Sequence, residues 1–193
     1  TYGRTDIRIA NEINTEGVTE LIESGLIEQR DRSLKFAFPQ LRSILPAWLE
    51  GSTDFPSIHK KIAETWSNVP DQKGLSFTFN VGRALLLSGN PSKSMPSLLT
   101  AVREAKRLRL WKLMAYIAHL VERASKETNS VVGRVEGQLN QLEAYLGLRD
   151  IAKANGVLAT LKQYSLLDKQ MQARIAFWEA ELCWQQKEWK IAS

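Results

Sequence analysis

Few residues in this sequence are of types that do chemistry. There are two histidines, His59 and His119, and one cysteine, Cys183. A zinc site needs three or four His, Cys or carboxylate ligands at short, defined spacings. Both histidines read as helix positions with no cysteine or acidic partner at metal spacing, so no metal ligand, catalytic residue or cofactor is expected. His119 lies between Ala118 and Leu120 and reads as a core-edge or surface histidine. Cys183, between Leu182 and Trp184 in mid-helix, reads as a buried, inert thiol. The stretch SGNPSKS, residues 88–94, has the composition of a phosphate loop. It lacks GK[ST] and a preceding strand, and holds a proline where a backbone N–H would be needed, so it reads as a helix stop and restart.

One charge run stands out. In REAKRLRLWK, residues Arg103, Lys106, Arg107, Arg109 and Lys112 surround a single acid, Glu104. Such a run is either a solvated helix face or a docking patch for an acidic partner or a nucleic-acid backbone. The six tryptophans fit core packing without a ligand: Trp48, Trp66 and Trp178 fall on apolar stripes, and Trp111 and Trp189 fall at repeated turn positions.

The elements that must position these residues are mostly helices. The chain has 193 residues, 44% hydrophobic and 24% charged, the profile of a folded globular chain. Its net charge of +5 is too small to define a partner without clustering. No apolar run reaches the roughly 18 residues of a membrane span, and no leader is visible. The lone cysteine favours a reducing, cytoplasmic setting. Both ends read as cut, so the chain reads as part of something longer.

Near the front, a helical spacing of Ile7, Ala10 and Ile13 is followed by a second helix. Thr15 is the expected cap of this helix, and Val18, Leu21 and Ile22 its inner face. Gly25 suits a left-handed stop. Leu26-Ile27 begin a strand, and Asp31-Arg32-Ser33 has turn chemistry. Leu34, Phe36 and Phe38 alternate with Lys35 and Ala37 as a half-buried second strand. Helix, helix, hairpin is the order of a winged helix, here over residues 5–38. DNA binding is disfavoured, because the helix that would enter the groove carries Glu16, Glu20 and Glu23 and no Lys or Arg.

Pro39 opens a helix carrying Leu41, Ile44, Leu45 and Trp48 to Gly51. Another has Ile58, Ile62 and Trp66 on one stripe, and a third has Phe77, Val81 and Leu85. Antiparallel helix pairs with short connections follow, with stripes such as Leu98, Val102, Ala105 and Val135, Leu139, Leu142, Leu146. The turns LRLWKLM, LRDIAKA and QKEWKIA overlay, with Met114 and Ala154 40 residues apart and Ala154 and Ala192 38 apart. Ala154 is expected where the second helix of a pair passes close to the first. Expected fold class: mainly α, a small winged-helix unit with one β-hairpin, then a helical-hairpin solenoid. Expected domains: a winged-helix-like 1–50, a helical arm 51–90 and repeats 91–193.

Two resemblances rest on these residues. Tyr145, Asp150, Ile151, Ala154 and Leu158, and again Trp184, Trp189 and Ala192, resemble degenerate tetratricopeptide units. Gly25-Leu26, Phe36, Phe38-Pro39, Leu41-Arg42, the stretch HKKIAE (59–64) and SGNP (88–91) resemble the winged helix and helical arm of STAND-type signalling ATPases. Those proteins include LuxR/MalT-like and bacterial NLR-like members. Phe38 stands where that family often has His near the nucleotide. The resemblance implies a non-catalytic coupling and sensor arm whose repeats bind a protein partner or activating ligand, with no cofactor of its own; the lack of a long apolar run gives the expectation of no membrane contact. The alternatives are a standalone protein-binding scaffold and a winged-helix nucleic-acid-binding regulator.

Overall fold

A computed structural model describes residues 5–38, 40, 52–68, 74–164 and 167–192. The protein is mainly helical, with eight helices and a small antiparallel sheet among the described residues. It divides into two compact units, Thr1–Gln72 with Ala84–Asn90, and Lys73–Arg83 with Pro91–Ser193.

In the first unit, β1 (Thr5–Asp6) leads into α1 (Ile7–Glu23), then β2 (Ile27–Arg30) and β3 (Ser33–Phe36). The sheet order is β1-β3-β2, with Thr5 opposite Leu34 and Ile27 opposite Phe36. Strand, two helices and a hairpin closing on that strand is winged-helix connectivity. Nothing in the sequence signals β1, since two residues carry no periodicity. The helix α1 is two helices broken at Asn14, whose backbone is extended at φ −163° and ψ 97°.

The cap of the second helix is therefore Asn14 and not Thr15. Asn14 Oδ1 accepts from Gly17 N at 3.0 Å, while Thr15 Oγ1 donates back to Asn11 O at 2.8 Å. Gly25 closes the helix at φ +71°, with Leu26 N donating to Leu21 O at 3.1 Å. The hairpin turns on Asp31 and Arg32, with Asp31 at φ 51°.

Leu34 is buried and Phe36 half-buried, but Phe38 is 55% exposed. Phe38 does not continue the inward alternation, because β3 ends at Phe36. A helix α2 (Phe55–Asn68) packs against α1. It buries Ala63 and Thr65, with Ile58 exposed and Ile62 and Trp66 half-buried. The expected stripe of large side chains is thus only partly the inner face. The helix expected from Pro39 to Gly51 and the break at Pro70-Asp71 lie outside the described residues, as do the side chains of Trp189 and Ala192.

After α3 (Leu75–Leu87) come α4 (Pro91–Arg107), α5 (Trp111–Glu127), α6 (Val131–Gly147), α7 (Ile151–Leu161) and α8 (Lys169–Ala192). The first four of these after α3 begin 20 residues apart, so a helix pair repeats every 40, as Met114 and Ala154 indicate. The third turn read from QKEWKIA is absent: α8 runs through it as one helix.

The regular spacing comes from one recurring stop signal. Gly89, Arg109, Asn129 and Arg149 all take positive φ, between 53° and 77°. At each, the next N–H reaches back to a carbonyl five residues earlier, as Leu110 N does to Ala105 O and Asp150 N to Tyr145 O, both at 2.9 Å. Ser130 Oγ and Asp150 Oδ1 then cap the helices that follow, accepting from Gly133 N and Lys153 N.

Between these helices lies a continuous apolar core. Val135, Leu139, Leu142 and Leu146 from α6 meet Ala154, Leu158 and Leu161 from α7, and Ile175 and Leu182 from α8. Ala154 is fully buried, as its proposed place in the repeat requires. Close approach of α5 and α6 depends on glycines. A Cβ on Gly137 would lie 2.9 Å from Glu122 N and 3.1 Å from Ala118 O, and one on Gly147 would lie 2.5 Å from the Trp111 ring. Trp111 is thus a packing residue seated on a glycine. Cys183 is exposed, against expectation. It sits one position beyond buried Leu182, about 100° further round α8 and off the inner face.

Candidate functional site

The five basic residues of the 103–112 run are all exposed, and three of them have partners within the protein. Lys106 Nζ lies 2.7 Å from Glu143 Oε1 of α6, and Arg107 Nη2 lies 2.9 Å from Glu104 Oε2. Arg103 Nη2 donates to Thr100 Oγ1 at 3.0 Å. Arg109 occupies the left-handed turn position, exposed. Lys112, at the start of α5, lines a groove with Tyr116 and His119.

The central helix α6 organises what remains. Residues three and four apart share a helix face, so Glu136, Asn140 and Glu143 lie on one side and Gln138, Gln141 and Tyr145 nearly opposite. The first side is bound to its neighbours by ion pairs. Arg174 Nη1 of α8 meets Glu136 Oε2 at 2.6 Å, and Lys106 of α4 meets Glu143. The Arg174 hydrogen bond holds the Glu136 carboxyl below its ordinary value against the opposing effect of burial, and Glu136 raises Arg174 in return.

The second side forms the floor between α5 and α7. Here Glu122 of α5 is buried, with 9% of the residue exposed. Its Oε1 accepts from Gln138 Nε2 at 3.1 Å and Lys126 Nζ at 2.8 Å, and its Oε2 accepts from Gln141 Nε2 at 2.9 Å. Burial alone would push this carboxyl up. Hydrogen bonds from Lys126, Gln141 and Gln138 outweigh it and keep the carboxyl below its usual 4.5, so it stays charged.

His119 Nδ1 sits 3.9 Å from Glu122 Oε2, so this histidine does have an acidic neighbour one turn on, and its side chain is largely exposed. Further along, Asp150 Oδ2 holds Lys153 Nζ at 2.9 Å, and that ammonium stands 5.6 Å from the centre of the Tyr145 ring. Two adjacent surface hollows of about 520 and 560 Å³ share Tyr145 and Lys153 in their lining.

Sequence reading missed Glu122, Gln138 and Gln141 as a site. They lie 16 and 19 residues apart along the chain, across two helices. The available signal was a charged residue directly after core Val121, and two carboxamides each directly before a core leucine. Among the described residues no group of three or more His, Cys, Asp or Glu is placed to hold a metal ion. No helix among them is long and apolar enough to cross a membrane. No protein-family model, curated protein or solved structure matches this chain.

Proposed function

We propose that this chain is the non-catalytic coupling and sensor arm of a STAND-type signalling ATPase, its helical hairpins being the part that binds a protein or ligand. The observation that carries this reading is the order of parts: winged-helix connectivity first, then helices started every 20 residues by one recurring turn. That order is the one the family resemblance implies. Residues 1–50 are then the winged-helix-like part, 51–90 the arm and 91–193 the degenerate tetratricopeptide-like repeats, in a cytoplasmic protein.

A DNA-reading role fits less well. Glu16, Glu20 and Glu23 are all exposed on the second helix of the front unit, where they repel phosphate. On the hairpin, Lys35 and Arg30 are drawn to Glu28, at 2.9 and 3.4 Å. The reading is tested by titration of the chain with Mg-ATP in a calorimeter and with a mixed-sequence DNA duplex by fluorescence anisotropy. The expected results are no saturable heat, and DNA binding no tighter than the non-specific range of about 10⁻⁴–10⁻⁶ M. Saturable 1:1 heat would make the chain a nucleotide-binding protein in its own right. Sub-micromolar, sequence-selective DNA binding lost on Arg32→Glu would make it a DNA reader. Either result overturns the proposal.

A further inference from the structure

We propose that the groove between α5, α6 and α7 docks an extended peptide segment carrying acidic side chains. This rests on the reading of the repeats as the partner-binding part and names the surface that does it. The floor of the groove is a built polar site with spare capacity. Gln138 is only 5% exposed, yet its Oε1 makes no hydrogen bond within the protein. Its amide cannot turn over, because Nε2 must face the Glu122 carboxylate. A buried acceptor is thus left without a partner in the groove floor, and a donor reaches it only when the side chains above it shift.

The rim has the opposite demand. Lys126 lines one cavity, Lys112 and His119 line the other, and Lys153 lines both. Lys126 and Lys153 are anchored by Glu122 and Asp150, and Lys112 makes no ion pair among the described residues. Glu122 lies buried beneath the rim, and Asp150, partly exposed, is the one acid on it, so an incoming segment meets three ammonium groups and one carboxylate. A basic segment is repelled there, and an acidic one is drawn in.

Shape selects a polymer. The two hollows lie side by side along α5, with Lys112 in one and Lys126 in the other, a span of about 21 Å at roughly 1.5 Å per residue. That is the length of about six residues of extended chain at roughly 3.3 Å each. An extended polypeptide offers an N–H at every residue, one of which meets Gln138 once its carboxamide is uncovered, and its side chains reach the lysines. Gly156 keeps the α7 wall low: a Cβ there meets nothing within 4 Å. Side chains added at Gly156 therefore fill the groove without straining the helix.

The test uses the whole 193-residue chain and fluorescence anisotropy. The probes are fluorescein-labelled hexapeptide pools with Asp or Glu fixed at alternate positions, matched pools with Lys there, and a uridine hexanucleotide. The acidic pool is expected to bind, and the lysine pool and the oligonucleotide are not. Gly156→Leu and Lys153→Glu should each weaken acidic binding by about tenfold or more, with Gly156→Ala close to the parent. Gln138→Met should weaken it by about two- to tenfold, the worth of one hydrogen bond. Arg103→Glu, on exposed α4 surface, should leave it unchanged. Circular dichroism checks that each variant is folded, and the two groove variants act independently of Gln138. The inference is overturned if the acidic pool fails to bind, if its binding survives both Gly156→Leu and Lys153→Glu, or if the lysine pool or the oligonucleotide binds more tightly. Any of those with ATP and DNA results as expected above removes the groove assignment alone and leaves the coupling-arm reading standing.

Discussion

The two open sides of α6 draw on the same chemistry and use it differently. On one side Glu136 and Glu143 meet Arg174 and Lys106, each acid facing a base from another helix, so the charges tie α4, α6 and α8 together. On the other, Glu122 collects three donors from its surroundings and still leaves Gln138 Oε1 unmet, with lysines around the rim. Polar groups that satisfy one another stabilise a solenoid. Polar groups held in place with capacity left over are equipped to meet a ligand.

The comparison is broken most severely by separating α5 from α6. Gly137→Val puts methyl groups against the Glu122 backbone, and neither helix can yield locally. It should cost about 3 kcal/mol or more, and both sides should lose their structure together. Denaturant midpoints read this directly. A loss under about 1 kcal/mol would mean that the helices do not approach as closely as described. Next comes Ala154→Leu. The residue is fully buried where α7 passes α6, and overpacking should cost about 1–3 kcal/mol. An unchanged midpoint would refute the close approach.

Smaller changes sharpen the difference between the sides. Glu136→Gln removes the Arg174 pair, which is partly exposed to solvent, and should cost about 1 kcal/mol without weakening acidic-peptide binding. The pH dependence follows from direction alone. Glu136 and Glu122 both sit below 4.5 in the folded chain, the former through Arg174 and the latter through donors that overcome its burial. A depressed carboxyl adds stability that is complete above its unfolded value and is lost as pH falls through its folded value. Melting temperature should therefore drop more steeply below about pH 4.3 in the parent than in a Glu122→Gln, Glu136→Gln double variant. The smallest effect lies in the turns. Arg149 holds φ 57°, and Arg149→Gly should raise stability by about 1 kcal/mol, because glycine adopts that conformation without a Cβ clash.

Much of the fold was legible because helical repeats are local. Leu98, Val102 and Ala105, and the four core residues of α6 from Val135 to Leu146, were readable from spacing of three and four, and all are buried. Gly25 was readable as a left-handed stop for the same reason. What failed was decided by where an element ends or what crosses it. Phe38 follows the alternation of β3 but lies past its last residue, and Cys183 sits among apolar neighbours yet one step off the inner face of α8. The ion pair of Lys106 could not be foreseen from its neighbours, because its partner Glu143 arrives 37 residues later. The Glu122 cluster was hidden in the same way, since no local pattern announces that one helix will supply the carboxylate and the next the carboxamides.

The most direct test of the account is where on the repeats an acidic hexapeptide pool acts. Backbone amide shifts of the isotopically labelled chain during titration would report it residue by residue. The expected result is saturable change along α5 from Lys112 to Lys126, on α6 at Gln138, Gln141 and Tyr145, and on α7 from Lys153 to Thr160. Saturable change centred instead on Lys106, Glu136, Glu143 and Arg174, or on the hairpin of β2 and β3, would contradict it.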